Sequence, residues 1–392
     1  MFQKAFIGLI ILLMPLISHA TTDQGKPYKT ITDADINASG YLFLSNDTNW
    51  VLDGFVYVED GAVLEIEAGT VVKANPGQEG DASALIISRG GYLKAVGTPD
   101  APIIFTSVRD TIDDIYDIDL FDPDSSRGLW GGLILLGRAT ISEPNGVDSI
   151  EGIPGDIQSR HFYGGGLTPN DNDSSCNLQY VSVRHGGTDI GEANEINGVT
   201  MGALGCKSII SHVEVIFNND DGFEFFGGCP NTDHLAVAFC KDDSYDYDQG
   251  FRGTGQFWFT LHAEDAGDHG GEHDGGDDSP GLLPYATPVI SNVTYLGRGV
   301  NAATSTYTMI LRDNAGGAYY NSIFADWSGH GVTLDVAHSP SDSKDRMTNL
   351  GTVADLKIYN NYWADMGSGS DEVALCHGDV QVKAYLFGGE AG

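Results

Sequence analysis

The fold is decided by two stretches that align without a gap, HVEVIFNNDDGFEF at residues 212–225 and HLAVAFCKDDSYDY at residues 234–247. The second copy begins 22 residues after the first, and QFWFTLHAEDAGD at residues 256–268 follows at the same interval. Apolar residues alternate in each copy, as side chains on one face of a strand must. The predicted inward columns are Val213–Leu235–Phe257, Val215–Val237–Phe259 and Phe217–Phe239–Leu261. A unit of this length without a helix is typical of one coil of a parallel β-helix.

The rest of the chain continues this pattern of short strands and sharp turns. GAVLEIEAGT at residues 61–70 recurs loosely as GGYLKAVGT at residues 90–98, and the chain contains 52 glycines. No amphipathic stretch with helical spacing follows the first twenty residues, which argues against helical repeats. We therefore expect an all-β protein, a right-handed parallel β-helix that stacks its coils to bury their apolar faces. A β-sandwich is the main competing fold.

The first twenty residues have the pattern of a signal peptide. MFQK carries the positive charge, residues 5–17 are apolar, and Ser18-His19-Ala20 forms a cleavage site. We expect cleavage after Ala20 and a secreted or periplasmic protein. The apolar run is too short to cross a bilayer, so no membrane insertion is expected. Residues 21–50 are predicted to form a lead-in or cap, and 51–392 a single β-helix domain with loop insertions near 143–175 and 263–284.

Composition excludes some partners. The chain has 20 Lys and Arg against 55 Asp and Glu, with a formal net charge of −35. Nucleic acids and anionic membrane surfaces need a basic face and are not expected to bind. Five cysteines are present. Export permits disulfides, the odd count leaves at least one cysteine unpaired, and the pairing stays open.

Four segments carry a family resemblance. They are NWVLDGFVYVEDGAVLEIEAGTVVKA (49–74), ASALIISRGGYLKAVGTPDAPIIFTS (82–107), GLWGGLILLGRATI (128–141) and HVEVIFNNDDGFEFFGG (212–228). These segments resemble a group of bacterial exported right-handed β-helix repeat proteins over about residues 45–330. The resemblance implies architecture and export, and it implies no particular activity.

Carboxylates repeat in the same 22-residue register. The predicted columns are Asp220–Asp242–Glu264, Asp221–Asp243–Asp265 and Glu224–Asp246–Asp268. Like charges about 5 Å apart repel by about 1 kcal/mol in water and about 3 kcal/mol at an effective dielectric constant of 20. Bound Ca²⁺, which takes oxygen ligands, is the simplest compensation, and we predict all nine residues as metal ligands. The alternative is a solvated acidic edge with raised carboxyl pKa values.

The same face permits an enzymatic interpretation. Asn219-Asp-Asp-Gly222 and Lys241-Asp-Asp-Ser244 look similar to the N-T-D-G and D-D elements of polygalacturonase-type β-helix glycosidases. The resemblance implies Asp221, Asp242 and Asp243 as acid and base groups. Arg252 and His262 are the nearest candidates for a positive partner, and Arg252 for the base of a Ca²⁺-dependent polysaccharide lyase. The chain departs from the pattern, because Leu261-His262-Ala263 stands where Gly-His-Gly is expected and no Arg-Ile-Lys follows.

A further motif lies in the predicted loop. His269-Gly-Gly-Glu-His273 matches H-x-x-E-H, a zinc-peptidase pattern that requires a helix. The glycines make a helix improbable, which leaves a loop metal site or a flexible acidic loop. Taken together, the residues favour a Ca²⁺-binding surface or extracellular module for carbohydrate or another cell-surface ligand. A carbohydrate-active enzyme is the alternative, and the oligomeric state stays open.

Overall fold

The computed structural model describes residues 21–377 apart from 115–116, 118–121, 123–124, 151–152, 154–158, 192–193, 277–279, 305, 335–342, 344–345, 347–354 and 370–374. The predicted signal peptide lies outside the described residues. Long ladders of parallel strands form three sheets, S1, S2 and S3, that the chain visits in turn. Parallel crossovers of this kind are right-handed. The predicted right-handed parallel β-helix is confirmed.

Within the described residues, sheet S1 has ten strands: β4 (Phe55–Val58), β7 (Ala84–Ile87), β10 (Leu133–Leu136), β16 (Val199–Gly202), β18 (Phe223–Phe226), β20 (Tyr245–Asp248), β23 (Gly271–His273), β26 (Met309–Leu311), β29 (Val332–Leu334) and β32 (Cys376–His377). Strands β13 (Cys176–Arg184), β17 (Ile209–Ile216) and β19 (Asn231–Ala238) bend at a corner and belong to both S2 and S3.

The remaining strands of S2 are β2 (Tyr41–Leu44), β5 (Val63–Ile66), β8 (Tyr92–Val96), β21 (Thr254–Gln256), β24 (Val289–Ser291), β27 (Gly317–Tyr320) and β30 (Leu356–Tyr359). Those of S3 are β1 (Tyr28–Ile31), β3 (Asn49–Leu52), β6 (Val71–Ala74), β9 (Ile103–Ser107), β22 (Phe259–Leu261), β25 (Thr294–Leu296), β28 (Ile323–Trp327) and β31 (Tyr362–Met366). Two short antiparallel pairs lie outside the sheets: β11 (Asp148–Ser149) with β12 (Phe162–Tyr163), and β14 (Asp189–Gly191) with β15 (Asn194–Glu195).

The N-terminal segment already contributes to the coils. Strands β1 and β2 pair with β3 and β5. Between β1 and β2, the helix α1 (Asp33–Asn37) packs against β4 and buries Ile36 in the core. Since the open end of a β-helix exposes strand edges, a helix at this place shields the first S1 strand. Among the described residues, no helix is both long and apolar enough to span a membrane.

One continuous apolar core fills the space between the three sheets. In the central coils it contains stacked rings, with Phe223 over Tyr245 at 5.7 Å and Tyr245 over Trp258 at 4.5 Å between ring centroids. A second apolar cluster lies outside S1. It joins Ile86 and Ile134 to Tyr163 of the 143–175 insertion. This insertion therefore covers the outer face of the N-terminal part of S1.

The predicted inward columns are right at Val213–Leu235 and Val215–Val237. Phe217 and Phe239 contact each other, with 5.2 Å between ring centroids, but they are not part of the core between the sheets, and the third copy is wrong. Val213 pairs with Leu235 as expected, but Phe257 is 45% exposed and Trp258 takes the inward position. The pairing of Asn231 with Thr254 shows the cause, because this coil is one residue longer before its S2 strand, β21. A one-residue shift moves each side chain to the opposite face of the strand, so the strand residues of the third copy do not continue the predicted columns.

The 263–284 insertion also differs from the prediction of a loop. It contains β23, whose His273 is completely buried. The imidazole stacks on Tyr247 at 4.0 Å between centroids, and Nε2 lies 2.7 Å from the Tyr319 hydroxyl. Burial lowers the pKa of His273 to about 3, so the ring is neutral and serves as a core side chain. The H-x-x-E-H segment is a strand and not a helix.

Cys206 and Cys229 form a disulfide, and the other three cysteines, Cys176, Cys240 and Cys376, are buried and are not disulfide-bonded within the described part of the chain. Sequence had left this pairing open. The bridge joins the turns that precede β17 and β19, and so ties two adjacent coils together.

Candidate functional site

The outward-facing residues of S1 form one column along the molecule. The register runs from Ile86 through Ile134 and Thr200 to Glu224, Asp246 and Glu272. Each outward residue lies directly beside the next, at the spacing between hydrogen-bonded strands. Three stacked carboxylates therefore occupy the middle of a sheet face whose N-terminal part is apolar.

A second set of carboxylates comes from the turns that lead into the same strands. Asp220 and Asp221 precede β18, and Asp242 and Asp243 precede β20. The backbone N–H of Asp243 donates to Oδ1 of Asp221 at 2.9 Å, which holds the two turns in register. The turn set and the strand set thus meet at one edge of S1.

The two sets converge into carboxylate triads. One oxygen from each of Asp220, Asp221 and Asp242 lies within 4.8 Å of the others, and the same holds for Asp221, Glu224 and Asp246. Asp221 belongs to both triads. Oxygen atoms this close can share one cation, because Ca²⁺ binds oxygen ligands at 2.3–2.6 Å.

A cleft of about 370 Å³ is lined by four of these carboxylates, those of Asp220, Asp221, Glu224 and Asp242. Its acidic floor is bordered by Asn194 and Glu195 of β15 and by the apolar side chains of Ile134, Ile150 and Phe226. None of the described residues that line the cleft is Lys, Arg or His. A volume of this size suits a small ligand or one to two sugar rings.

Asn197 organises the middle of the site. Its Oδ1 accepts a hydrogen bond from the backbone N–H of Asp221 at 3.2 Å, and its Nδ2 donates to Glu224. In contrast, the buried Oδ1 of Asp246 has no hydrogen-bond partner among the described residues. A buried carboxylate oxygen without a donor is costly, so this atom is suited to a cation.

Electrostatics within the cleft oppose full ionisation. Burial and the charge of Asp242 raise the pKa of Asp220 to about 7, and burial with Asp243 raises that of Asp242 to about 6. Burial and the neighbouring carboxylates raise the pKa values of Asp221 and Asp246 well above the ordinary range. These four residues have no Lys, Arg or His within ion-pair distance among the described residues. A bound divalent cation would reverse these shifts.

Two basic side chains stand at the edge of the cleft. The Nδ1 atom of His269 lies 3.0 Å from Oδ1 of Asp243. Burial opposes the charged form of both groups, but the Asp243 charge raises the pKa of His269 to about 9. In turn, the charge and hydrogen bonds of His269 hold the pKa of Asp243 below its usual value. Arg312 contacts Glu272 at 2.9 Å and also pairs with Asp274. Even so, burial and Asp243 raise the pKa of Glu272 to about 8.

The third copy of the predicted ladder is wrong. Glu264 is exposed, and Asp265 forms an ion pair with Arg127 at 2.7 Å. Asp268 lies beside Asp242, not beside Asp246, because its backbone N–H donates to the Asp242 carbonyl oxygen. The physical reason is a longer turn after β22, which places residue 268 and not residue 264 one coil above residue 242.

Arg252 and His262 were predicted as positive partners, and the structure places neither in the cleft. The Arg252 guanidinium binds Asp171 at 3.2 Å and the carbonyl oxygens of Thr140 and Gly250. His262 is 2% exposed, and its Nε2 lies near Ser244 Oγ and the His269 carbonyl oxygen. Burial lowers the pKa of His262 to about 4, so it remains neutral at physiological pH.

Sequence reasoning missed Glu195, Asn197 and Arg312, and it assigned His269 and Glu272 to a separate loop motif and not to this site. A signal for two of them exists. An Asp followed four residues later by an acid occurs at 220/224, 242/246 and 268/272, which aligns DHGGEH with DDSYDY at an offset of 26. The alignment was not found because the third copy was placed at the same 22-residue offset as the first two.

Comparison with known proteins gives one result. A family model described as a pectate-lyase-like β-helix domain matches residues 36–368, and the chain therefore belongs to that family. No curated protein and no solved structure matches the chain. Membership supports a carbohydrate-related role at the level of the family.

Proposed function

We propose that this member of the pectate-lyase-like β-helix family binds a divalent cation of the calcium class in its acidic cleft and uses it to hold a carbohydrate. The observation that carries the proposal is the pair of triads that share Asp221. Within each triad the oxygens lie close enough for a common cation, and nearer than the 6.5–9.5 Å separation of an inverting acid–base pair.

The cation explains how a carbohydrate can enter an acidic cleft. Hydroxyl or carboxylate oxygens of a sugar complete the six to eight ligands that Ca²⁺ takes. The half-buried ring of Phe226 in the wall of the cleft offers a surface for the C–H face of a sugar ring. Export belongs to this proposal, since the predicted signal peptide delivers the cleft to surroundings rich in Ca²⁺. We propose that the protein acts there as a surface or extracellular binding module.

Affinity electrophoresis through gels that contain a panel of polysaccharides tests this function. We expect retardation by at least one polysaccharide with Ca²⁺ present, and loss of retardation in EDTA or in Asp221→Asn. Asp53→Asn, which changes an exposed carboxylate outside the cleft, is the matched control and should bind like the wild type. Retardation that is equally strong in EDTA contradicts a cation-mediated role.

A carbohydrate-active enzyme is the second candidate, and one observation favours it. His269-Gly270 lies one coil after Asp243, where polygalacturonase-type enzymes have Gly-His-Gly, so the histidine and the second glycine match in register although Asp268 stands in place of the first glycine. Asp242, with a pKa of about 6, is suited to general acid catalysis near neutral pH.

Product formation separates the two candidates. Reducing-end release and absorbance of unsaturated products are measured on the polysaccharides that bind. If the protein is an enzyme, Asp243→Asn abolishes turnover while Ca²⁺-dependent binding persists. The binding account predicts no product with any of them.

A further inference from the structure

A row of side chains follows the corner between S2 and S3, away from the S1 cleft. We call it the corner ladder, and its members are Tyr180, His212, His234, Phe257, Asn292, Asn321 and Asn360. Each has a positive φ, between 50° and 59°. This left-handed backbone lets the strand turn the corner and superimposes the side chains of successive coils.

The middle of the corner ladder is a stack of rings. Ring centroids are 4.4 Å apart between Tyr180 and His212, 4.2 Å between His212 and His234, and 4.9 Å between His234 and Phe257. The corner accepts phenol, phenyl and amide side chains in other coils. Two adjacent imidazoles are therefore not required by the fold.

The two imidazoles are arranged around a carboxylate. The Nδ1 atom of His234 lies 2.6 Å from Oδ1 of Asp233, and that of His212 lies 3.9 Å from the same oxygen. Ser211 Oγ donates to Asp233 Oδ1 at 2.6 Å and orients it. All three potential ligand atoms lie within 4.8 Å of one another.

We propose that His212, Asp233 and His234 form a second metal site, for a divalent transition metal of the zinc and copper class. Two imidazole nitrogens and one carboxylate oxygen suit these ions and differ from the all-oxygen cleft that suits Ca²⁺. In a tetrahedral site with bonds of about 2.0–2.1 Å, ligand atoms are about 3.3 Å apart. The distances from Asp233 Oδ1 to the Nδ1 atoms of His234 and His212, 2.6 and 3.9 Å, lie on either side of this value. Small side-chain rotations therefore bring the ligands into place.

The protonation states and exposure of the three residues agree with this role. Burial and the charge of His234 lower the pKa of His212. Burial alone would raise the pKa of Asp233, but hydrogen bonds from Ser211 and His234 hold it below its usual value. The three side chains are 37–47% exposed, which leaves a coordination position for water or a ligand.

A metal at this corner would join two coils. His212 belongs to β17, while Asp233 and His234 belong to β19, and these strands lead into the turns that carry Asp220, Asp221, Asp242 and Asp243. The site therefore stabilises the coils that position the acidic cleft, although it shares no residue with the cleft.

Isothermal titration with Zn²⁺ in excess Ca²⁺, which keeps the cleft occupied, tests the proposal. We expect one equivalent of Zn²⁺ to bind, and His212→Phe or His234→Phe to weaken it by at least about tenfold. Phenylalanine already occupies the corner ladder at Phe257, so these variants should fold, as circular dichroism will show. Tyr180→Phe keeps the ring stack and is the matched control. Unchanged Zn²⁺ affinity in the folded double variant overturns the site.

Electron paramagnetic resonance of the unmodified protein with one equivalent of Cu²⁺ gives an independent answer. We expect hyperfine coupling to two imidazole nitrogens. A spectrum with oxygen ligands alone overturns the proposal, even if the histidine variants do not fold. The loss of Zn²⁺ affinity in the histidine variants and the copper spectrum both report on the two imidazoles, so they hold even if the acidic cleft does not bind Ca²⁺. Only the stoichiometry of one equivalent assumes an occupied cleft.

Discussion

The N-terminal and central parts of sheet S1 share one register but differ in chemistry. The outward column begins with Ile86 and Ile134, both at most 1% exposed beneath the 143–175 insertion. The same column continues as Glu224, Asp246 and Glu272 at the acidic cleft. The inward residues of both parts are apolar or aromatic and join the same core.

The comparison shows which positions of S1 the fold requires to be apolar and which it leaves free to vary. Stacking of coils depends on inward residues, so the outward column is free to vary. In the N-terminal part, the outward column is covered by apolar side chains, which stabilises the protein. In the central part, the stacked carboxylates of the same column repel one another, which destabilises it. A feature that costs stability and is not needed for folding indicates a ligand site.

A carboxylate placed in the apolar N-terminal part of S1 should change the free energy of unfolding more than any other substitution proposed below. Ile86→Glu places an unpaired carboxylate in the second apolar cluster and should lower the free energy of unfolding by about 4 kcal/mol or more. Ile86→Val, the matched control, should cost no more than about 1.5 kcal/mol. Urea denaturation measures both. Similar values for the two variants would show that the cluster is not a closed apolar layer.

Removal of a carboxylate from the acidic cleft should stabilise the protein when no cation is present. Asp246→Asn removes a carboxyl group whose ionisation is opposed by burial, Glu224 and Glu272, and in EDTA at pH 8 it should raise the free energy of unfolding by about 1 kcal/mol. The same variant should lose most of the stabilisation that Ca²⁺ gives to the wild type. A lower stability of Asp246→Asn in EDTA is the contrary result.

The acidic part should also make stability depend on pH. The pKa values of Asp242, Asp220 and Glu272 are raised to about 6, 7 and 8, so the folded state binds more protons than the unfolded chain above pH 4. Stability from these groups is complete below their unfolded pKa values and is lost as the pH rises through 6 to 8. The melting temperature in EDTA should therefore fall between pH 5 and pH 8.5. Saturating Ca²⁺ should remove most of this decline, and a decline of the same size with and without Ca²⁺ would oppose the account.

The smallest loss of stability is expected when His273, an inward residue of the central part, is replaced by another aromatic ring. His273→Phe keeps the stack on Tyr247 and loses the hydrogen bond to Tyr319, at a cost of about 1 kcal/mol. His273→Ala removes the ring as well and should cost more, by the usual penalty of a core cavity. If the two variants were equally destabilised in urea, the ring stack would contribute little.

The fold and part of the site follow from sequence because two coils repeat without a gap. The alternation in 212–225 and 234–247 identifies the inward residues and brings Asp220, Asp221, Glu224, Asp242, Asp243 and Asp246 to one edge. The third coil could not be predicted from that period. Its strand is shifted by one residue at Trp258 and its turn is longer, so Asp268, His269 and Glu272 take the places assigned to Glu264, Asp265 and Asp268. Hydropathy also conceals His273, a polar residue in the core.

Calorimetric titration of the cation-free protein with Ca²⁺ at pH 8 tests the central claim most directly. We predict saturable binding to the wild type and at least about a tenfold loss of affinity in Asp221→Asn, which removes a ligand from both triads. Asp53→Asn should match the wild type. Absence of binding to the wild type, or equal affinity in Asp221→Asn, would contradict the assignment of the acidic cleft as a cation site.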